Sequence, residues 1–200
     1  MIDGLVAATI RLVCGARANW LGRSPQTAPA IYFANHTSNL DFPVIWSELA
    51  PPVRKQTRPV AAADYWGKGR IRRFLALKVF HALLVDRGHV TRETNPVGPI
   101  AEAVGMGHSL IIFPEGNRSA DGAIGPFKSG LFYLRRAMPE VDFVPVYLDN
   151  LMRILPKGEF IGVPMLSSVT FGPPLDVVEG EPRGLFLERA RRALEALRPK

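Results

Sequence analysis

Six short apolar runs punctuate this chain of 200 residues: AIYFA (30–34), RPVAAA (58–63), ALLVD (82–86), SLIIF (109–113), DFVPVYL (142–148) and SVTFG (168–172). They are too short for core helices and most are rich in β-branched or aromatic residues, so they predict strands. Between them lie segments of helical period. NPVGPIAEAVGMG carries a capping Asn95, Pro96 at the first helical position, and Gly105 and Gly107 as stop signals. RGLFLERARRALEALR places Phe186, Ala190, Ala193, Leu194 and Leu197 on one face, with arginines and glutamates opposite. Strands alternating with helices predict a single α/β domain, its largely parallel or mixed central sheet flanked by helices. No repeat, low-complexity tract or long linker divides it.

The formal net charge of +7 calls for an anionic partner: nucleic acid, a phosphorylated ligand, an acidic protein or a negative lipid surface. A single cysteine, Cys14, excludes a disulfide framework and a cysteine-cluster zinc site, and makes a reducing compartment the default. The opening MIDGLVAATIRLVCGARANWLG lacks the basic start of a signal peptide, and Arg11 interrupts its apolar run. It is also too short and too charged to span a bilayer. Residues 1–24 are therefore read as an amphipathic helix standing before an α/β domain of residues 25–200. Leu5, Ile10, Leu12, Val13 and Trp20 are its apolar residues, and Arg11, Arg17 and Arg23 its basic ones. Two readings stand: a helix covering the core, or an interfacial helix with Trp20 at the headgroup level of a membrane.

The stretch IYFANHTSNLDFPVIW carries the first chemistry. A strand ends at Ala34, a polar loop follows, and Ser38 or Asn39 can cap a helix whose first turn includes Asp41. Such a turn brings Asp41 back toward His36. An aspartate that accepts one ring N–H fixes the tautomer and stabilises the imidazolium formed when the other nitrogen takes a proton. Taken alone, a histidine and an aspartate at this spacing more often make a structural hydrogen bond. No serine–glycine elbow accompanies it, and Cys14 lies in the amphipathic segment, so a protein nucleophile is lacking. A base without a nucleophile suggests activation of a hydroxyl or water of the substrate.

The second cluster is SLIIFPEGNRSADG, in which Glu115 and Arg118 flank Gly116 in a turn after a strand. Gly116 permits close backbone approach, and Arg118 supplies a planar fork suited to phosphate. Lys128 in PFKSG and Arg87 after ALLVD add two further cations. Open α/β sheets bind ligands beyond strand ends, so these cations either form a phosphate pocket or are surface turns with internal ion pairs.

With these blocks in view, NHTSNLD resembles the NHxxxxD motif of the glycerolipid acyltransferases, the family of lysophosphatidic acid and glycerol-3-phosphate acyltransferases. HALLVDR resembles their second block, usually G-x-x-F-I-x-R; FPEGNRS is similar to their FPEGTRS, and FVPVYL to their apolar fourth block. Order and spacing agree, and VTFGPPL resembles the strand-plus-proline segment near the family's end. The resemblance implies that His36 is the general base toward the acceptor hydroxyl and Asp41 its orienting partner. It implies that Arg87, Glu115, Gly116 and Arg118 position the acceptor's phosphate and glycerol parts, with Asn117 and Lys128 beside them. Pro145 would belong to the wall of the acyl or donor site. The acceptor implied is a lysophospholipid, 1-acyl-glycerol-3-phosphate first, or another lyso-lipid such as a lyso-aminolipid. The donor implied is acyl-CoA or acyl-carrier protein, with no cofactor and no metal. Three departures stand out: His81 occupies the glycine position of the second block, Asn117 replaces threonine, and the first block begins early enough that any N-terminal appendage is expected to be short.

In DYWGKGRIRRFLALKVFHALLV, Lys68, Arg70, Arg72, Arg73 and Lys78 alternate with Tyr65, Trp66, Phe74 and Phe80. By itself the run fits a solvated helix face or a nucleic-acid patch. No nucleic-acid module accompanies it, and beside the resemblance it is expected to meet anionic lipid or an acidic carrier protein. His81, His89 and His108 are read as structural or exposed. The expected location is peripheral, on the cytoplasmic face of the cell membrane.

Overall fold

The computed structural model describes residues 2–22, 29–86, 96–151 and 166–199. In chain order the elements are α1 (Ile2–Cys14), β1 (Ala16–Trp20), β2 (Ala30–Ala34), α2 (Asp41–Glu48), α3 (Pro51–Gln56), β3 (Thr57–Ala62), α4 (Ala63–Trp66) and α5 (Arg70–Phe74). A π-helical turn (Leu75–Val79) continues α5. There follow β4 (Leu83–Val85), α6 (Val97–Gly105), β5 (Ser109–Ile112), α7 (Gly130–Ala137), β6 (Asp142–Asp149), β7 (Ser167–Phe171) and α8 (Arg183–Glu195). Among the described residues seven strands form one sheet in the order β1-β7-β6-β2-β5-β3-β4. From β6 to β4 every neighbour is parallel; β7 runs antiparallel to β6 and β1 parallel to β7.

The central strands are buried throughout because helices cover both faces, which is why they read as continuous apolar runs. Strand alternation divides the core. Tyr32, Ile111, Val144 and Val146 pack under α1 and α2, while Ile31, Phe33, Leu110, Ile112 and Phe143 pack under α6, α7 and α8. On α8 the predicted stripe is the buried one, with Phe186, Ala190, Leu194 and Leu197 inside and Ala193 half-buried. Its other face carries Glu188–Arg191 and Glu188–Arg192 ion pairs. The six expected strands form, with ends shifted by a residue or so. Asn95, the expected cap of α6, lies outside the described residues, and that helix starts at Val97 after Pro96.

The expected single helix over residues 1–24 is replaced by two elements. The helix stops at Cys14, where Gly15 takes a φ of +52° that L side chains rarely adopt. Residues 16–20 then join the sheet edge beside β7. Trp20 therefore lies flat on Phe171, ring centroids 3.7 Å apart and 6° from parallel, packed against the sheet. One side of α1 covers the core through Val6, Ala7, Ile10 and Cys14. Arg11 donates to the Ser47 carbonyl and to Glu48 at 3.1 Å, tying α1 to the C-terminal end of α2. The opposite side leaves Ile2, Leu5, Leu12 and Val13 exposed.

Because Trp20 is a packing residue, Trp20→Ala is expected to lower unfolding stability by about 2 kcal/mol, the scale of a lost aromatic side chain that is only partly buried. Urea denaturation followed by circular dichroism reads this directly. Unchanged stability would overturn the packing assignment.

Candidate active site

α2 opens at Asp41, and that residue is fully buried. Its Oδ2 accepts three hydrogen bonds: from Nδ1–H of His36 at 2.7 Å, from the N–H of Thr37 at 2.6 Å and from the N–H of Ser38 at 2.9 Å. With Nδ1 donating to a carboxylate, Nε2 is the imidazole nitrogen left with a lone pair. The expected cap at Ser38 or Asn39 does not form; Leu40 is the N-cap, without a side-chain bond. Asp41 itself reaches back to the two preceding N–H groups, organising the loop as it orients the ring.

The backbone of His36 is held from both sides. Its N–H donates to Glu115 Oε1 at 2.9 Å, and its carbonyl accepts from the N–H of Ser119 at 2.7 Å. Its ring stacks on Phe113 at 4.2 Å and 18°. The second oxygen of Glu115 accepts from the N–H of Gly125 at 2.9 Å. Glu115 is thus a clamp between two loops, each of its oxygens accepting from a backbone N–H. A carboxylate can satisfy two N–H donors at once, which explains an acid at this place. Burial is the main cause that pushes its carboxyl above the ordinary range, against the pull of the Gly125 and His36 bonds.

Asn35 supplies a third stitch. Its amide donates to the Leu148 carbonyl at 3.0 Å and accepts from the Leu148 N–H at 2.8 Å, continuing the β2–β6 ladder through a side chain. Sequence reasoning passed over Asn35 as one of several polar loop residues. Its position directly before the histidine was the available signal.

Beyond the C-terminal ends of β2, β3, β4 and β5 opens a cavity of about 480 Å³. His36 and Phe42 form part of its wall, and Gly116, Asn117, Arg118 and Lys128 another part. Val60, Ile100, Ile112, Leu131 and Leu134 give an apolar side, and Asp64 and Asp86 add two carboxylates. Gly116 has a φ of +74°, which L side chains rarely adopt, and a Cβ there would stand 2.7 Å from Cε of Lys128, so the lysine end packs directly over the glycine. Nη1 of Arg118 is buried without a hydrogen-bond partner.

The structure therefore brings His36, Asp41, Gly116, Asn117, Arg118 and Lys128 together around one cavity. It does not bring Pro145 there. That residue is buried mid-way along β6, paired in register with Phe33, and its carbonyl accepts from the N–H of Gly172 at 2.9 Å. Pro145 shapes the sheet, not the cavity wall. Arg87 lies outside the described residues, and the neighbouring Asp86 reaches the cavity. His81 is exposed with a φ of +49°, so a histidine holds the backbone conformation that the usual glycine of this block favours. Among the described residues no cluster of His, Cys, Asp or Glu could hold a metal ion.

A histidine oriented by a buried aspartate thus stands at the C-terminal edge of the parallel part of the sheet, facing a cavity with cationic and aliphatic sides. The chain belongs to the acyltransferase family, whose model matches residues 20–149. The chain is 32% identical over 164 residues to 1-acyl-sn-glycerol-3-phosphate acyltransferase of Escherichia coli, covering 74% of this chain and 57% of that protein. It is 34% identical over 155 residues to the protein of the same name from Limnanthes alba, covering 74% of this chain and 50% of the relative. The chain thus spans about half the length of the curated relatives it matches. In fold it is similar to the crystal structure of the 1-acyl-sn-glycerophosphate (LPA) acyltransferase PlsC from Thermotoga maritima. That match has a TM-score of 0.74 at 21% identity, covering 100% of this chain and 79% of the other.

The clamp assignment predicts the behaviour of Glu115→Gln. Glutamine has one acceptor oxygen, so one of the two N–H donors loses its partner, at about 1–3 kcal/mol of stability by urea denaturation. The deficit should depend on pH. A carboxyl raised in the folded state binds its proton more tightly there than in the unfolded chain. Its contribution to stability therefore falls as pH rises from the ordinary value of 4.5 through the raised one. The gap between wild type and Glu115→Gln should be widest at acid pH and narrow above that window. A gap that widens with pH would overturn the burial argument.

Proposed function

We propose that this protein transfers a fatty acyl group from a thioester, acyl-CoA or acyl-carrier protein, to the hydroxyl of a lysophospholipid, 1-acyl-glycerol-3-phosphate first. The observation that carries this reading is the Asp41-held His36 on the wall of a cavity with Arg118 and Lys128 at one side and aliphatic side chains at another. The names of the relatives support the choice of acceptor. Nε2 of His36 takes the proton of the acceptor hydroxyl as its oxygen attacks the thioester carbonyl. Asp41 stabilises the imidazolium so formed. The tetrahedral intermediate collapses, the C–S bond breaks, and the departing thiolate recovers the proton from Nε2.

No acyl-enzyme is required. Cys14 ends α1 on its core-facing side, and burial pushes its thiol up to about 11, which keeps it protonated. Arg118 and Lys128, with Arg87, hold the phosphate by charge-assisted hydrogen bonds, and the apolar side of the cavity takes hydrocarbon. A lyso-aminolipid acceptor is the second reading, favoured by Asp64 and Asp86 in the same cavity.

Thiol release that requires added lysolipid tests the assignment, because hydrolysis needs no acceptor and a binding module releases nothing. His36→Ala should lower turnover by ~10² to 10⁴ or more, and Asp41→Asn should lower it through the wrong tautomer. Arg118→Ala should chiefly raise the KM of the phosphorylated acceptor. Wild-type turnover in His36→Ala would sink the mechanism. A panel of donors and acceptors, with products identified by mass spectrometry, separates the two acceptor readings.

The working place we propose is peripheral, on the cytoplasmic face of a membrane. No helix among the described residues is long and apolar enough to cross one. Two exposed elements suit an interface: α1, with Leu5 71% and Leu12 84% exposed, and α5 with its π-helical turn, where Ile71, Phe74 and Leu77 emerge among exposed Arg70, Arg72, Arg73 and Lys78. Apolar side chains enter the interface while each cation near an anionic surface adds about 1 kcal/mol. In liposome flotation, binding should rise with anionic lipid, fall with salt, and drop when Leu5 and Leu12 are made polar. Indifference to both lipid charge and these changes would refute the placement.

A further inference from the structure

Arg118 presents an unusual problem of placement. Its Nη1 is buried without a hydrogen-bond partner, and among the described residues no carboxylate lies within ion-pair distance of it. A long side chain with so little to anchor it would have to be ordered by each incoming anion, at a cost in rotamer entropy. One contact does hold it: Cζ of Arg118 stands 5.9 Å from the centroid of the Tyr65 ring. We infer that Tyr65 is a positioning residue of the acceptor site, acting through Arg118. The inference rests on the reading of Arg118 as a phosphate contact.

The ring is suited to this work because it is itself fixed. Tyr65 belongs to α4, directly after β3, and lines the cavity. It meets Trp66 edge-on at 5.6 Å, and Trp66 meets Phe42 at 4.9 Å, the residue after Asp41. A second cation, Arg72 on α5, stands 4.7 Å from the same ring. The ring quadrupole attracts both guanidinium groups, which like charge alone would push apart. This mode of anchoring has a chemical advantage. A carboxylate partner would neutralise Arg118 and occupy its donor fork, whereas an aromatic ring leaves the charge and the N–H groups for phosphate.

The test is a double-mutant cycle in the full chain, with acyl-CoA as donor and 1-acyl-glycerol-3-phosphate or the matching phosphate-free monoacylglycerol as acceptor. Tyr65→Leu should raise the KM of the phosphorylated acceptor about fivefold, the scale of a cation–π contact. It should leave the KM of acyl-CoA and of the phosphate-free acceptor unchanged. Tyr65→Phe, which keeps the ring, should behave as wild type, and so remains informative if the leucine variant fails to fold. On an Arg118→Ala background Tyr65→Leu should add nothing. Additive losses, a defect in Tyr65→Phe, or equal losses with both acceptors would overturn the inference. If Arg118→Ala raises the acceptor KM and Tyr65→Leu does not, the inference alone falls. If Arg118→Ala has no effect, the phosphate reading falls and takes this one with it.

Discussion

One carboxylate oxygen organises the site. Oδ2 of Asp41 gathers the ring of His36 and the N–H groups of Thr37 and Ser38 within a buried turn. Burying a carboxylate is costly unless donors meet it, and here three donors from the residues just before it converge on Oδ2, while Oδ1 is buried without a partner. The same three bonds end the loop after β2, start α2 and select the imidazole tautomer. Local folding and readiness for chemistry are one arrangement.

That turn would be a loose appendage without its outer supports. Asn35 extends the strand pairing past Ala34, Glu115 holds the His36 N–H, and Ser119 holds its carbonyl. The supports come from β6 and from the loop after β5, the strands on either side of β2. The central position of β2 therefore matters to the site: only a strand with neighbours on both sides can have its exit loop gripped from both.

What the sequence disclosed follows from the range of each interaction. The central strands were legible because burial on both faces leaves no polar interruption, and His36 with Asp41 because the pair closes within one turn. β1 was not legible. ARANW has an edge strand's half-exposed pattern and follows an apolar helical stretch, so only Gly15 marked the break. The backbone partners of Glu115 were not legible, since an acid that grips backbone and an acid that grips ligand look alike in one dimension. Pro145 was read correctly as a strand residue, but its distance from this cavity was not legible, because a strand's sequence does not say which of its residues lie near its C-terminal end in the folded sheet. Tyr65 stood in a basic run, and nothing local pairs it with Arg118. The structure adds the long-range partners, which no period or spacing contains.

The burial of Cys14 reaches beyond structure to the bench. The chain has one thiol, and that thiol is 1% exposed and raised to about 11. Since the thiolate is the species that reacts with disulfide and maleimide reagents, the buried thiol of the folded protein is expected to react with them slowly at neutral pH. In an assay of the proposed transfer, a colorimetric thiol trap present throughout will then count the thiol released from the donor without titrating the protein. A slow rise in protein-derived signal under the same conditions becomes a built-in gauge of unfolding.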